Sequence, residues 1–226
     1  MTATYTQSPR TTPSRHSERA AYDESTVHGV LDAAFLGHLA YVCDGRPRIL
    51  PMLFVRVGHS VFLHSSTGAH PARLIARTGA LPAAFEATIV DGLVLARSAF
   101  SHSANYRSVI AHGELTLVSG PGRKDEVLRA LLDKLVPGRA SEARPPDEGE
   151  LRQTAVLELE LSDVGAKVRT GDPIDHEQDL DFPCWAGVLP IERHFGSPQP
   201  STGSASAADE RLPAYLAALV GSATCA

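Results

Sequence analysis

Apolar residues first fall into a helical rhythm at Val27, Val30, Leu31 and Ala34, behind Asp23 and Ser25, either of which can cap a helix. Downstream the period shortens. The stretch HLAYVCDGRPRILPMLFVRVGHSVFLH alternates strand-like runs with Asp-Gly and Gly-His punctuation, which predicts three strands joined by tight hairpins. Pro51 cannot donate a ladder hydrogen bond, so it marks an edge, a bulge or a bend in the middle strand. AHPARLIARTG predicts a short helix ended by Gly79. LPAAFEATIV and GLVLARSAF then read as two strands turning back on each other at Asp91-Gly92, and YRSVIAHGELTLV as another strand. KDEVLRALLDKLV places Val127, Leu128, Leu131, Leu132, Leu135 and Val136 on one helical face, stopped by Pro137-Gly138. TAVLELELSDVGAKVRTG alternates from Leu157 to Leu161 and supplies one or two final strands.

Many short strands, hairpin links and two or three peripheral helices describe a mainly β protein, a small closed barrel rather than a doubly wound sheet. Residues 1–20 are rich in Thr, Ser, Pro and Arg and are expected to be flexible; 21–192 form the barrel domain. Residues 193–226 make a partly flexible tail in which ERLPAYLAALV allows a last helical turn or two. DFPCWAGVLPI is an apolar island in polar surroundings.

Composition narrows the function classes. With 226 residues, 43% hydrophobic and 21% charged, the chain suits one domain with a substantial core. A net charge of −5 without a basic block argues against a nucleic-acid partner, and 6% aromatics leave little for base stacking. Cys43, Cys184 and Cys225 are odd in number and form no CxxC pair, which points to a reducing, cytoplasmic setting. The start has no apolar signal region, and no apolar run approaches the roughly 20 residues needed to cross a bilayer, so no membrane partner is expected.

No GxGxxG, Walker loop, HExxH or GxSxG is present. Ten scattered histidines, His64, His70, His102 and His112 among them, do not make a metal-ligand pattern, and no metal site is expected. FLHSSTGAHPARL is more informative. A strand delivers His64, after which Ser65, Ser66, Thr67 and Gly68 crowd the turn before a helix carrying Arg73. Hydroxyls, free N–H groups and a cation at a helix N-terminus suit a phosphate monoester. A turn that merely caps the helix needs the same residue types, so spacing leaves both readings open. In LARSAFSHSANYRSVIAHGEL, Arg97 and Arg107 flank a polar run with Ser103, Asn105 and Tyr106, which is either a ligand rim or a surface turn. Trp185, the only tryptophan, either plugs a core gap or covers a groove.

Four stretches in order, AAYDESTVHGVLDAAFLGHLAYVCDGRPRILPMLF, VFLHSSTGAHPARL, DGLVLARSAFSHSANYRSVIAHGEL and CWAGVLPI, resemble the pyridoxamine 5′-phosphate oxidase-like, FMN-binding split-barrel proteins. Within them the flavin-nucleotide-binding group that includes the Nim-type nitroimidazole-resistance reductases is the most similar. The resemblance implies a six-stranded antiparallel Greek-key barrel that forms a homodimer with FMN in clefts at the subunit contact. It implies that Leu50, Pro51 and Met52 run along the flavin ring edge and that His64, Ser65, Ser66 and Thr67 sit near the phosphate and ring. It further implies that Ser103, Asn105, Tyr106 and Arg107 complete the pocket, from the same or the other subunit, and that Trp185 closes over the flavin or the substrate space. Where relatives place an Arg or Lys to grip the phosphate, this chain has His70, a weaker partner when neutral, which leaves Arg73 to compensate. The activity implied is that of an FMN-dependent oxidoreductase passing electrons from a donor such as NAD(P)H to a small acceptor, with His64 as a proton donor or a group that orients the acceptor. The alternative is a carrier or sensor on the same barrel, holding flavin, or haem with His64, His70 or His102 as axial ligand.

Overall fold

The structure, a computed structural model, describes residues 3–201 and 212–222. The rest of the tail, Cys225 included, lies outside the described residues. The chain opens with a short strand β1 (Ala20–Ala21) and helix α1 (Glu24–Ala33). Asp23 rather than Ser25 caps α1, its carboxylate accepting the Thr26 N–H at 2.8 Å. Three strands follow as the hairpin punctuation predicts, β2 (Leu36–Cys43), β3 (Arg46–Val57) and β4 (Ser60–Ser66). Asp44 and Gly45 adopt φ of 50° and 70°, the left-handed pair of a two-residue hairpin turn. Helix α2 (His70–Thr78) ends at Gly79 as expected.

The hairpin expected at Asp91-Gly92 does not form. Strand β5 (Leu81–Leu95) runs through it and pairs along both halves with β6 (Ser103–Leu117). The register passes from Val90↔Tyr106 to Gly92↔Asn105, so Asp91 is the extra residue of a bulge. Ile89 and Val94 are both buried, so apolar patterning on either side keeps the strand going and the surplus residue is extruded. The chain reverses instead through the 3₁₀ turn Ala99–Ser101, inside the polar run.

Helices α3 (Pro121–Leu135), α4 (Arg139–Glu142) and α5 (Glu148–Gln153) lead to strands β7 (Thr154–Glu160) and β8 (Asp163–Arg169). The apolar island supplies a strand the sequence did not suggest, β9 (Gly187–Pro190), on the outer edge of β5. A short helix α6 (Ala214–Leu219) lies in the tail.

Every strand pairing is antiparallel, and the pairings run round a ring of six strands, β2, β3, β4, β7, β6 and β5, matching the split-barrel expectation. Strands β8 and β1 extend from β6, and β9 extends from β5. The interior is filled by Leu39, Phe54, Phe85, Leu115, Leu157 and Leu159, with Phe54 and Phe85 edge-to-face at 4.8 Å. Helix α1 contributes Val27, Val30 and Leu31 to this core. Outside the ring, Val127 and Leu131 of α3 cover Val55, Phe62 and Val156.

One seam is weak. Strands β3 and β4 share only the pairs from Phe54↔Leu63 to Val57↔Ser60. Beyond that point β4 turns to β7, with His64, Ser65 and Ser66 opposite Val156, Ala155 and Thr154, while β3 stays with β2. The segment 46–53 of β3 is therefore an open edge, and Pro51, with no N–H to offer, sits on it at no cost in sheet hydrogen bonds.

Candidate functional site

The open edge of β3 and the diverging end of β4 bound a split in the barrel wall. Leu50 and Met52 are half-buried against the core and Pro51 is exposed on that edge. Across the split the His64 side chain has no hydrogen-bonding partner among the described residues. Its ring is open to solvent on one side, yet the protein packed around it dehydrates it enough to hold its pKa below the ordinary histidine value.

The turn after β4 ends at the N-terminus of α2, which no side chain caps. Ser66 Oγ takes the Gly68 N–H at 3.1 Å, and the Thr67 N–H is bonded to the Gln153 carbonyl at 2.9 Å. Pro71 has no N–H, so the open donors of the first turn are those of His70 and Ala72. Capping, one of the two readings of this stretch, is thus not how its hydroxyls are spent. Ser65 donates only to the neighbouring Ser66 carbonyl, at 3.3 Å, and Thr67 and Arg73 are exposed, with no ion-pair partner for Arg73 among the described residues. His70 is turned back towards β2. Its Nδ1 lies 3.1 Å from the Tyr41 hydroxyl and its Nε2 3.5 Å from Cys43 Sγ, with the Tyr41 ring stacked at 6.0 Å. Burial pushes the Tyr41 hydroxyl and the Cys43 thiol up in pKa, so both stay protonated at neutral pH.

The other expected residues stand elsewhere in the same chain. Arg107 and Leu117 are ten residues apart on β6, up to about 33 Å of strand, and Leu117 is at the His64 end. Asn105 is buried, donating to the Gly171 carbonyl at 3.1 Å and accepting from Arg169. Arg107 grips Asp91 through two bonds. Tyr106 is half-buried, Ser103 is exposed at the start of β6, and Trp185 is exposed with its indole lying over Gly187. A Cβ on Gly187 would meet that ring at 2.9 Å, so the indole rests where it does because this position is glycine.

Three residues outside the sequence-level candidates, Asp91, Arg169 and Asp175, organise this second region together with the candidate His102. Asp91 holds Arg107. Arg169, its buried guanidinium bonded to Asn105 and to the Gly171 and Asp172 carbonyls, holds Asn105. Asp175 anchors Arg97 through its N–H and guanidinium, both at 2.7 Å. His102 hydrogen-bonds the Ser98 carbonyl through Nδ1 at 2.9 Å. Arg97, Pro173, Ile174, Asp175 and Leu180 line a cavity of about 500 Å³ here.

The family described as pyridoxamine 5′-phosphate oxidase matches residues 23–168, which include the split, α2 and the bulged strand pair. The chain belongs to this family. Within the family fold, the flavocytochrome Anf3 from Azotobacter vinelandii is 36% identical, over 94% of this chain and 97% of its own, with a TM-score of 0.84. The FAD and heme binding protein from Mycobacterium smegmatis is 32% identical, over 90% and 98%, with a TM-score of 0.83. A proposed 5-nitroimidazole antibiotic resistance protein from Bacteroides thetaiotaomicron shares the fold at 15% identity, over 66% and 86%, with a TM-score of 0.56. No curated protein matches the chain. Among the described residues no helix is long and apolar enough to cross a membrane.

Proposed function

We propose that this pyridoxamine 5′-phosphate oxidase-family protein is a flavin-dependent redox protein that also carries haem. The observation that carries the flavin reading is the split itself, where an unpaired strand edge faces His64 beside an uncapped helix N-terminus. The residues fit the flavin mononucleotide moiety common to FMN and FAD. The edge at Leu50–Met52 offers backbone donors and acceptors to the ring. Ser65, Thr67, the His70 and Ala72 N–H groups and Arg73 suit the phosphate. Bound there, the flavin supplies the electron chemistry, moving electrons from a donor such as NAD(P)H to a small acceptor. The chain's own part is binding, orientation and proton handling: His64, neutral at pH 7, can accept or pass on a proton at its unpartnered nitrogen.

A second copy of the chain would complete this reading. Leu36, Val42, Ile49, Leu53, Val90 and Ile110 are exposed, and adjacent strands β3, β2, β5 and β6 carry them on one apolar face. Homodimerisation on that face would cover it and give Tyr106, which lies opposite Val90 on the same face, a route to the split of the other subunit.

The haem assignment draws on the names of the two relatives above 30% identity and on His102. A carbonyl acceptor fixes the proton on His102 Nδ1 and leaves Nε2 as a free lone pair, the arrangement an axial ligand needs. Phe100, Ile174, Phe182 and Trp185, all exposed on the two loops tied by Arg97 and Asp175, supply apolar surface for a porphyrin. The test is the absorbance of purified protein followed by identification of what denaturation releases. Flavin bands with a Soret band support both assignments, and FMN or FAD in the extract identifies the flavin. Flavin without haem leaves His102 out of the account, and a colourless protein that takes up neither removes the proposal.

A further inference from the structure

Tyr5, Glu24, His28 and His59 come together from three separate segments, at the end of the β3–β4 seam away from the split. Glu24 and His28 are one helical turn apart on α1, and His59 sits in the β3–β4 turn. The donor atoms of Glu24, His28 and His59 all lie within 4.8 Å of one another. Tyr5 points its hydroxyl at the same focus, 2.7 Å from His28 Nε2 and 3.4 Å from His59 Nδ1. Backbone bonds from Tyr5 N–H to the Tyr22 carbonyl and from Glu24 N–H to the Ala3 carbonyl pin the arm in this place.

We propose that Glu24, His28 and His59 form a binding site for a divalent cation of the zinc type, closed on one side by Tyr5. Two imidazoles and one carboxylate with a fourth position open is a ligand set that Zn²⁺ accepts, and it is too nitrogen-rich for Mg²⁺ or Ca²⁺. The surroundings suit a cation. Asp23, Glu24 and Asp32 supply three carboxylates on or beside α1 against the single guanidinium of Arg56, which Asp32 already holds with bonds of 2.9 and 2.7 Å. An ion at the focus would join the N-terminal arm, α1 and the hairpin that ends the short β3–β4 seam. It would therefore stiffen the closed end of the barrel split without touching the flavin.

The experiment is a Co²⁺ titration of tag-free, chelator-treated full-length protein, read by visible ligand-field absorption, then competition with Zn²⁺. One equivalent of Co²⁺ is expected to give a four- or five-coordinate band that Zn²⁺ removes and Mg²⁺ leaves. Glu24→Gln and His59→Ala, the latter at an exposed turn, should each weaken binding at least tenfold with an unchanged circular dichroism spectrum. Absence of the band in the wild type overturns the proposal, and so does a band that survives both substitutions. A sulfur-to-cobalt charge-transfer band also overturns it, by placing the ion on a cysteine. Loss of flavin or haem binding has no bearing on this result.

Discussion

Asp91 and Arg107 face each other across the β5–β6 ladder and share two hydrogen bonds, Arg107 Nε to Asp91 Oδ2 at 3.0 Å and Nη2 to Oδ1 at 2.7 Å. The bulge that makes Asp91 surplus to the ladder is what frees its carboxylate to do this, and the pair pins the register of the two longest strands. Asp91→Ala should therefore cost about 1 kcal/mol in chemical denaturation, since a paired guanidinium at a partly exposed site is worth roughly that much. Arg107→Ala should cost a similar amount, and the double variant less than the sum. Additive losses would mean that the pair does not act as a unit.

The same pair shows where the sequence was legible and where it was not. An Asp-Gly step between two apolar runs carries the signature of a hairpin, and nothing local distinguishes it from a bulge; the partner that decides, Arg107, is sixteen residues away. Elements whose signal is local came through: the cap of α1, the Asp44-Gly45 turn, α2 closed by Gly79, and the alternating β7. The phosphate-like turn was legible by residue type, but only coordinates show that it leaves α2 uncapped and that His70 turns to Tyr41 and Cys43. Strand β9 was hidden because its four residues show no period until β5 supplies an edge. The Glu24–His28–His59 cluster escaped because His59 joins the helical pair through the fold alone.

His64 should behave as a dehydrated, neutral imidazole. Because its pKa in the folded state is lowered, the unfolded chain binds the proton more readily below about pH 6.5, and stability rises with pH through that window. His64→Gln is expected to flatten that part of the stability profile. With flavin still bound, His64→Ala should slow turnover by about 100-fold, the scale of a lost general acid–base group. Unchanged turnover would restrict His64 to binding.

Lys134 gives a second pH signature. Its ammonium reaches the Leu31 carbonyl at 2.8 Å and lies 3.5 Å above the Phe54 ring, but desolvation dominates and lowers its pKa to about 8. An unfolded lysine keeps its proton to about pH 10.4, so stability should rise between roughly pH 8 and 10. Thermal melts at pH 7 and 9.5 check this, and Lys134→Met should remove the difference.

The apolar face makes its own demand. Ile49 is 65% exposed and Val42 62%, on adjacent strands of one sheet face. Ile49→Glu is expected to convert a dimer into monomers by light scattering and to weaken flavin binding at least tenfold, with the fold intact by circular dichroism. A wild-type monomer that binds flavin fully would show that one copy suffices.

The central claim is that the split holds a flavin with its phosphate at the open N-terminus of α2. The most direct measurement is quenching of flavin fluorescence on titration into apoprotein, comparing FMN with riboflavin, in the wild type and in Thr67→Glu. Thr67 is exposed, so the substitution adds a negative charge beside the phosphate position without disturbing the core. The account predicts that wild type binds FMN at least tenfold more tightly than riboflavin and that Thr67→Glu removes this preference while leaving riboflavin binding unchanged. Equal affinity for the two flavins in the wild type, or an FMN affinity indifferent to the new charge, would contradict it.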